Sequence, residues 1–421
     1  MSQKTSLPFT FPKRFLWGAS VSAHQVEGGN HNQWSVWELE NAKSLAKQAE
    51  YKQTGLPNWS RIKKQATTPE NYISGKASNH YDDYRQDFAW VKKLNMNAFR
   101  FSIEWSRIEP EEGRWNPEAI AHYKKYVKTL KANKIEPVIT LFHFTLPVWF
   151  AQKGGFEKRA NIKYFVRFAE KVLSEVGADV RYVVTINEPE VFAMQGWLEG
   201  TWPPNKTSKW QALRVYVNLA VAHNRVAKMA QGMSRRFKIG LSKNCAHHYP
   251  GDDAWVTRAT ARLAQWGADY FFLNLVKQRL DWLGVNYYFS YRYYGYRIHN
   301  PENIPLSDLG WTMEPGNIQP VVERLYAKYG IPVMVTENGL ADATDEERQW
   351  WLTHTLSALH KAHKNGVELL GYMHWSLLDN FEWAYGRWPR FGLLEVDYKT
   401  GERTPRKSAI WLAAVIKKLR S

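Results

Sequence analysis

Eight short apolar runs, rich in β-branched and aromatic residues and separated by longer amphipathic stretches, constrain this chain more than any other feature. They occupy residues 15–19, 98–103, 137–142, 182–186, 239–242, 282–286, 333–336 and 370–374. Helical periodicity fills the intervals at 80–94, 117–133, 162–176, 211–229, 320–329 and 345–365. A short apolar run bounded by turn residues reads as a buried strand, and a 3.6-residue repeat reads as a helix with one face on a core. Strands alternating with helices pair in parallel through right-handed crossovers. Eight such units imply closure, so the expected fold is α/β, a (β/α)8 or TIM barrel. An open doubly wound sheet competes, but no Gly-x-Gly-x-x-Gly turn follows the first run.

Two segments fit this pattern poorly. Residues 38–78 are polar and read as a long loop after the first strand, with some helix. Residues 239–282 have to supply a helix from a weak pattern. No internal repeat or low-complexity tract is apparent. The chain has 421 residues, enough for one barrel, and residues 1–421 are read as a single catalytic domain.

Composition removes other classes. With 44% hydrophobic and 23% charged residues the chain is globular, and no 18-residue apolar run suggests a membrane span. The first twelve residues lack the apolar core of an export signal. Cys245 is the only cysteine, so no intrachain disulfide forms, and a cytoplasmic location is expected. The net charge of +17 is spread over scattered Lys and Arg residues without a recognition motif, so no nucleic-acid partner is expected. His247-His248 stands without further spaced ligands and reads as a loop or packing feature, so neither metal nor cofactor is expected.

A barrel of this kind carries function at the C-terminal ends of its strands. Gln25 follows the first run, Arg100 lies within the second, and His143 ends the third. Asn187 and Glu188 end the fourth, Tyr288 follows the sixth, Glu337 the seventh and Trp375 the eighth. Taken singly, each has a plain reading as a cap, a core ion pair or a packed ring. Together they place two carboxyl groups across one barrel mouth.

Two carboxyls suit the cleavage of a glycosidic bond. In a retaining enzyme one protonates the leaving oxygen and the other attacks the anomeric carbon from the opposite face, with the pair ~5–5.5 Å apart. Glu188, among Ile186, Asn187 and Trp197 and facing a second carboxylate, should have a raised pKa and serve as acid, then base. Glu337 needs to stay ionised, with Arg100 and Tyr288 as donors.

The motifs around these residues resemble glycoside hydrolase family 1, the β-glucosidase and β-galactosidase group. They run from Phe11-Pro-Lys-Arg-Phe-Leu-Trp-Gly-Ala-Ser, through Ser22-Ala-His-Gln-Val-Glu-Gly and Phe99-Arg-Phe-Ser-Ile-Glu-Trp-Ser-Arg-Ile, to Thr185-Ile-Asn-Glu-Pro. Leu283-Gly-Val-Asn-Tyr-Tyr, Val335-Thr-Glu-Asn-Gly and Trp375-Ser-Leu-Leu-Asp-Asn-Phe-Glu-Trp follow in order, and Arg390-Phe-Gly-Leu closes the series. The resemblance implies Glu188 as acid/base and Glu337 as nucleophile, flanked by Arg100 and Tyr288. It implies a sugar subsite of Gln25, His143, Asn187, Asn286, Trp375, Glu382 and Trp383. In that subsite Gln25 and Glu382 hold the hydroxyls at C3, C4 and C6, Trp375 lies under the ring, and Asn187 binds the 2-hydroxyl.

Relatives that cleave 6-phosphoglycosides carry serine where Glu382 stands, and a carboxylate there would repel a phosphate. Plant thioglucosidases carry glutamine at the position of Glu188. The implied activity is therefore hydrolysis of terminal unphosphorylated β-D-glucosides, with β-galactosides and β-fucosides as further substrates, through a covalent glycosyl-enzyme. The partner is a small β-glycoside or short oligosaccharide. The alternatives are a transglycosidase using the same intermediate and a catalytically silent sugar-binding protein.

The chain also departs from the family. Phe144 stands where tryptophan is usual, and Tyr385 replaces a second carboxylate. Arg387 and Trp388 are expected near the entrance. Residues 244–282 are short, giving a reduced segment between the fifth and sixth strands and an open leaving-group side.

Overall fold

A computed structural model of the chain describes residues 9–234, 236–301 and 303–420. Residues 1–8 of the N-terminal stretch discussed above lie outside the described residues.

Eight strands form a closed parallel barrel: β1 Leu16–Ser20, β2 Ala98–Ser102, β3 Glu136–Phe142, β4 Tyr182–Asn187, β5 Lys238–Asn244, β6 Leu283–Asn286, β7 Val333–Asn338 and β8 Leu369–Trp375. Each neighbours the next in sequence, and β8 closes onto β1. The eight apolar runs are these strands, and the six periodic stretches are helices packed outside them. The fold is thus the (β/α)8 barrel.

Alternation along the strands separates two cores. On β2, Ala98 joins Val138, Val184, Met334 and Met373 in an apolar plug. The alternate residues Phe99 and Phe101 belong to the larger core beneath the helices. Helix Ile162–Glu175 shows the matching pattern, burying Ile162, Phe165, Phe168, Ala169, Val172 and Leu173 at three- and four-residue steps. Each large apolar side chain so buried contributes ~1.5–3 kcal/mol. Pro117 opens helix Pro117–Ala132, and the Asn116 side chain accepts from the Glu118 and Ala119 amides.

Register decides what meets at the rim. Asn187 lies opposite Ser242, Asn244 opposite Asn286, and Asn286 opposite Glu337. The pairing shifts between Val184 and Asn187 and again between Val335 and Glu337, just before each key glutamate. Irregularities of this kind at barrel rims re-aim side chains.

Residues 38–78, expected mainly as loop, are mostly helical. Helix Gln33–Lys52 spans 20 residues, followed by Trp59–Ala66 and a 3₁₀ turn at Pro69–Tyr72. The inner stripe of the long helix is Trp34, Trp37, Ala42, Ala46 and Ala49, mostly alanine, so apolar patterning is faint. Its start is well defined: the Asn32 side chain accepts from the Ser35 amide, and the Ser35 hydroxyl pairs with the Asn32 backbone.

Residues 245–282 supply the missing crossover. Strand His247–Pro250 pairs with Ser290–Tyr294 outside the barrel, and helices Trp255–Gln265 and Phe271–Val276 flank a π-helical turn. His248 Nδ1 lies 2.9 Å from the Tyr293 hydroxyl, and His247 stacks on Tyr249. Burial, then Arg324, lowers the two rings to about 4 and about 3 respectively, so they are neutral packing groups. Among the described residues, no helix is long and apolar enough to cross a membrane.

Candidate active site

A cavity of about 830 Å³ opens at the C-terminal end of the barrel. Gln25, His143, Asn187, Glu188, Tyr288, Glu337, Trp375, Glu382 and Trp383 all line it. Arg100 and Asn286 lie beneath and reach these residues through hydrogen bonds. All eleven residues singled out in the sequence thus meet in one place.

Glu337 sits at the end of β7 with 3% exposure. Arg100 Nη1 pairs with its Oε1, and the Tyr288 hydroxyl donates to its Oε2 at 2.7 Å. Arg100 has no exposed surface and is held by Thr140 Oγ1 at 3.2 Å, the Thr336 carbonyl at 3.3 Å and Asn187 Oδ1 at 2.7 Å. Its fork therefore has one orientation. Burial and the Glu337 charge push the Tyr288 hydroxyl well above its ordinary value, so it stays a donor. Just past the strand, Gly339 cannot carry a side chain, because a Cβ there would lie 1.7 Å from the Trp375 carbonyl oxygen.

Glu188 follows β4 and adopts a left-handed backbone conformation, φ 40° and ψ 65°. Its N–H donates to the Ser242 carbonyl at 2.8 Å. Its Oε1 accepts from Asn286 Nδ2 at 2.7 Å and Asn244 Nδ2 at 3.3 Å. Burial foremost, then the Glu337 and Glu190 charges, raises this carboxyl well above its usual range against the opposing Asn286 bond and Arg100. Phe144 and Trp383 also have positive φ, 71° and 48°. Strained backbone of this kind clusters at functional sites.

His143 lies between two indoles, stacked at 6.1 Å from Trp375 and 6.2 Å from Trp383. Burial and then Arg100 hold its pKa far below the ordinary range. Asn187 Nδ2 lies 3.2 Å from His143 Nε2, which as an acceptor leaves the proton on Nδ1. Gln25 Nε2 donates to Glu382 Oε2 at 3.2 Å and to the Phe381 carbonyl at 2.8 Å. Burial, then the Glu337 charge, lifts Glu382 to about 8. This alters the reason for excluding a phosphosugar: near neutral pH the free site presents a largely protonated Glu382, so charge repulsion alone does not exclude it.

Phe144 fills the expected wall, 5.2 Å from Trp383 and 5.1 Å from Trp202. Tyr385 lines the cavity, but Arg387 and Trp388 do not. Arg387 is tied down by the Ile73 and Ser74 carbonyls at 2.8 and 3.0 Å, while Trp388 is buried against the Trp375 cluster. Sequence reasoning missed Asn244, because the apolar run stops at Ser242 whereas the strand continues through Lys243. It also missed the outer wall, where Asn41, Ser44, Gln48 and Lys52 of helix Gln33–Lys52 line the cavity along with Phe289, Tyr291 and Trp311. Among the described residues, no group of three His, Cys, Asp or Glu side chains is placed to hold a metal ion.

A parallel barrel that holds two buried carboxyls of opposite surroundings at its mouth, beside stacked indoles, defines a barrel enzyme acting on sugars. The profile of Glycosyl hydrolase family 1 matches residues 7–277 and 272–420. Beta-glucosidase A of Acetivibrio thermocellus is 30% identical, across 97% of this chain and 98% of that one. Among solved structures, the beta-glycosidase from Pyrococcus horikoshii superposes with a TM-score of 0.85 at 34% identity, covering 97% and 95% of the two chains. The beta-glucosidase from Thermotoga maritima in complex with glucoimidazole gives 0.83 at 27% identity, covering 97% and 99%. The chain belongs to glycosyl hydrolase family 1.

Proposed function

We propose that this protein is a retaining β-glucosidase acting on terminal, unphosphorylated β-D-glucosides, with β-galactosides and β-fucosides as further substrates. The observation that carries the reading is the opposition between the two carboxyls. Glu337 has a guanidinium on one oxygen and a phenol on the other, whereas Glu188 is bonded by amides and faces negative charge.

In the first step Glu337 attacks the anomeric carbon and Glu188 gives its proton to the departing oxygen. The leaving group departs as an alcohol, and a glycosyl ester forms on Glu337. In the second step Glu188, now ionised, takes a proton from water. The water oxygen then displaces Glu337, releasing the sugar with its original configuration. Asn187, already oriented by Arg100, faces the 2-hydroxyl, and Trp375 with His143 offers the apolar floor.

The preference for an unphosphorylated sugar is supported by the cations of the site. Among the described lining residues the one Lys or Arg is Lys52, at the C-terminal end of helix Gln33–Lys52. A phosphate dianion buried near Glu382 would lack a counter-charge there. The names of relatives, beta-glucosidases and a beta-galactosidase, favour glucose and galactose as the sugar, while one relative at 26% identity is named a 6-phospho-beta-galactosidase, so the preference for an unphosphorylated sugar rests on the lining of the site.

Glu337→Ala tests the reading. Turnover of 4-nitrophenyl β-glucoside should fall by roughly 10⁵-fold, the scale of losing a covalent nucleophile. Azide should restore activity and yield the α-glycosyl azide. Activity near that of the parent would sink the assignment.

A further inference from the structure

A lysine with no exposed surface lies behind Glu188. Lys243 Nζ is 3.0 Å from Glu190 Oε1 and donates to the Asn244 carbonyl at 3.0 Å. The same Glu190 oxygen accepts the Asn244 N–H at 2.6 Å. Asn244 in turn donates its side-chain amide to Glu188 Oε1 at 3.3 Å, and the Glu188 N–H is bonded to Ser242. Glu190 thus grips the end of β5 at two points, and that strand end touches Glu188. Burying an ammonium and a carboxylate costs several kcal/mol per ion, and replacing such a pair with apolar side chains is often neutral or stabilising. Lys243 sits on a strand whose buried neighbours are Ile239 and Leu241, where an apolar residue would fit the core. Stability alone therefore does not account for the pair.

We propose that the buried Glu190–Lys243 pair is a positioning device for Glu188: it holds Asn244 against one carboxyl oxygen and sets a second negative charge beside the acid/base. The inference rests on Glu188 being that acid/base. The charges facing Glu188 are Glu337 from β7, Arg100 from β2 and Glu190, with the Tyr288 phenol nearby. Those around the pair are Tyr216 of helix Lys209–Met233, Cys245, and Asp269 of the turn Trp266–Tyr270. Asp269 is itself paired with Arg324 at 2.7 Å. Burial is the largest influence on Lys243 and disfavours its charge, but Glu190, joined by Tyr216, Cys245 and Asp269, outweighs it and holds the ammonium protonated. Burial pushes Glu190 up while Lys243 pulls it down, so the carboxylate depends on its partner. After burial and Glu337, Glu190 is the next contributor to the upward shift of Glu188.

The test compares pH profiles of kcat/KM for an alkyl β-glucoside, whose departure needs the acid, in the parent, Glu190→Gln and Glu190→Met/Lys243→Met. The double variant removes both charges together and guards against misfolding from one unpaired ion; its melting curve reports the fold. The alkaline limb, where Glu188 loses its proton, should move down by about one pH unit in Glu190→Gln, the scale of one unit charge at this range, and by a smaller step in the same direction in the double variant, where the Lys243 charge, which acts less on Glu188, leaves together with that of Glu190. A pair that only supports the fold would scale the profile evenly and leave the limb in place. A folded double variant with the parent's limb overturns the inference. Glu188→Gln is run alongside. If it slows alkyl and nitrophenyl glucosides equally, the acid assignment itself fails; if it slows the alkyl glucoside selectively, an unmoved limb in the double variant counts against the pair alone.

Discussion

Glu337 and Glu188 end β7 and β4, and each follows a slip in strand pairing, yet their surroundings are opposite. Around Glu337 the donors are a guanidinium and a phenol, both suited to a full negative charge. Around Glu188 they are the amides of Asn286 and Asn244, and the nearby charges include two carboxylates. Burial is shared, at 3% and 6% exposure. The difference between them, and with it the roles proposed above, therefore comes from the neighbours rather than from depth. In the mechanism proposed above, the same barrel position would serve as nucleophile or as proton carrier according to the chemistry of the adjoining strand ends.

The sharpest way to break this comparison is to remove only the proton. Glu188→Gln keeps the shape and the Asn286 bond but has nothing to donate. Alkyl β-glucosides should slow by roughly 10²–10⁴-fold, the usual reach of general acid catalysis. A dinitrophenyl glucoside, whose leaving group departs unprotonated, should form the glycosyl-enzyme almost as fast in a pre-steady-state burst. Equal losses in the burst would mean that Glu188 is not the acid.

Tyr288→Phe acts on the other half. It removes the 2.7 Å donor from Glu337 Oε2 and leaves Arg100 in place. A hydrogen bond to a charged group is worth about 1.5–3 kcal/mol, so kcat/KM should fall about 10–150-fold. The loss should be similar for good and poor leaving groups, because the nucleophile rather than the acid is affected. A leaving-group-dependent loss would place Tyr288 on the wrong side of the comparison.

The contrast was partly visible in the amino-acid sequence. Strands are legible because apolar runs of four to six residues cannot be exposed, and the barrel follows from their number. Arg100 and Glu337 could be paired on paper because one lies within the second strand and the other ends the seventh, both facing the barrel mouth. Asn244 could not, since it comes after a lysine that reads as solvent-exposed until Glu190 is seen to bury it. Helix Gln33–Lys52 was obscured for a related reason: its inner stripe is alanine, weakly apolar in pattern but well fitted to the Pro69–Tyr72 turn. Arg387 and Trp388, expected near the entrance, do not line the cavity. Gly386, at φ 78°, turns the chain away, and Asn71 accepts the Arg387 N–H through both its side chain at 2.9 Å and its carbonyl at 3.1 Å.

Glu382 extends the comparison to a third carboxyl with a milder effect. Like Glu188 it is raised first by burial and then by the Glu337 charge, from an ordinary 4.5 to about 8. A carboxyl raised in the folded state binds its proton more tightly there than in the unfolded chain. Its contribution to stability is fully present below about pH 4.5 and is lost as pH rises toward about 8. Glu188 adds to the same slope, so the parent should melt lower at pH 8 than at pH 5.5. Gln at position 382 does not titrate and can still accept from Gln25. Glu382→Gln should therefore flatten the decline by a few degrees of melting temperature, corresponding to ~1–3 kcal/mol. Parallel melting curves across that interval would mean that Glu382 ionises in its ordinary range. In that case the Glu337 charge would not reach across the pocket, and the upward shift assigned to Glu188 would have to rest on burial and Glu190 alone.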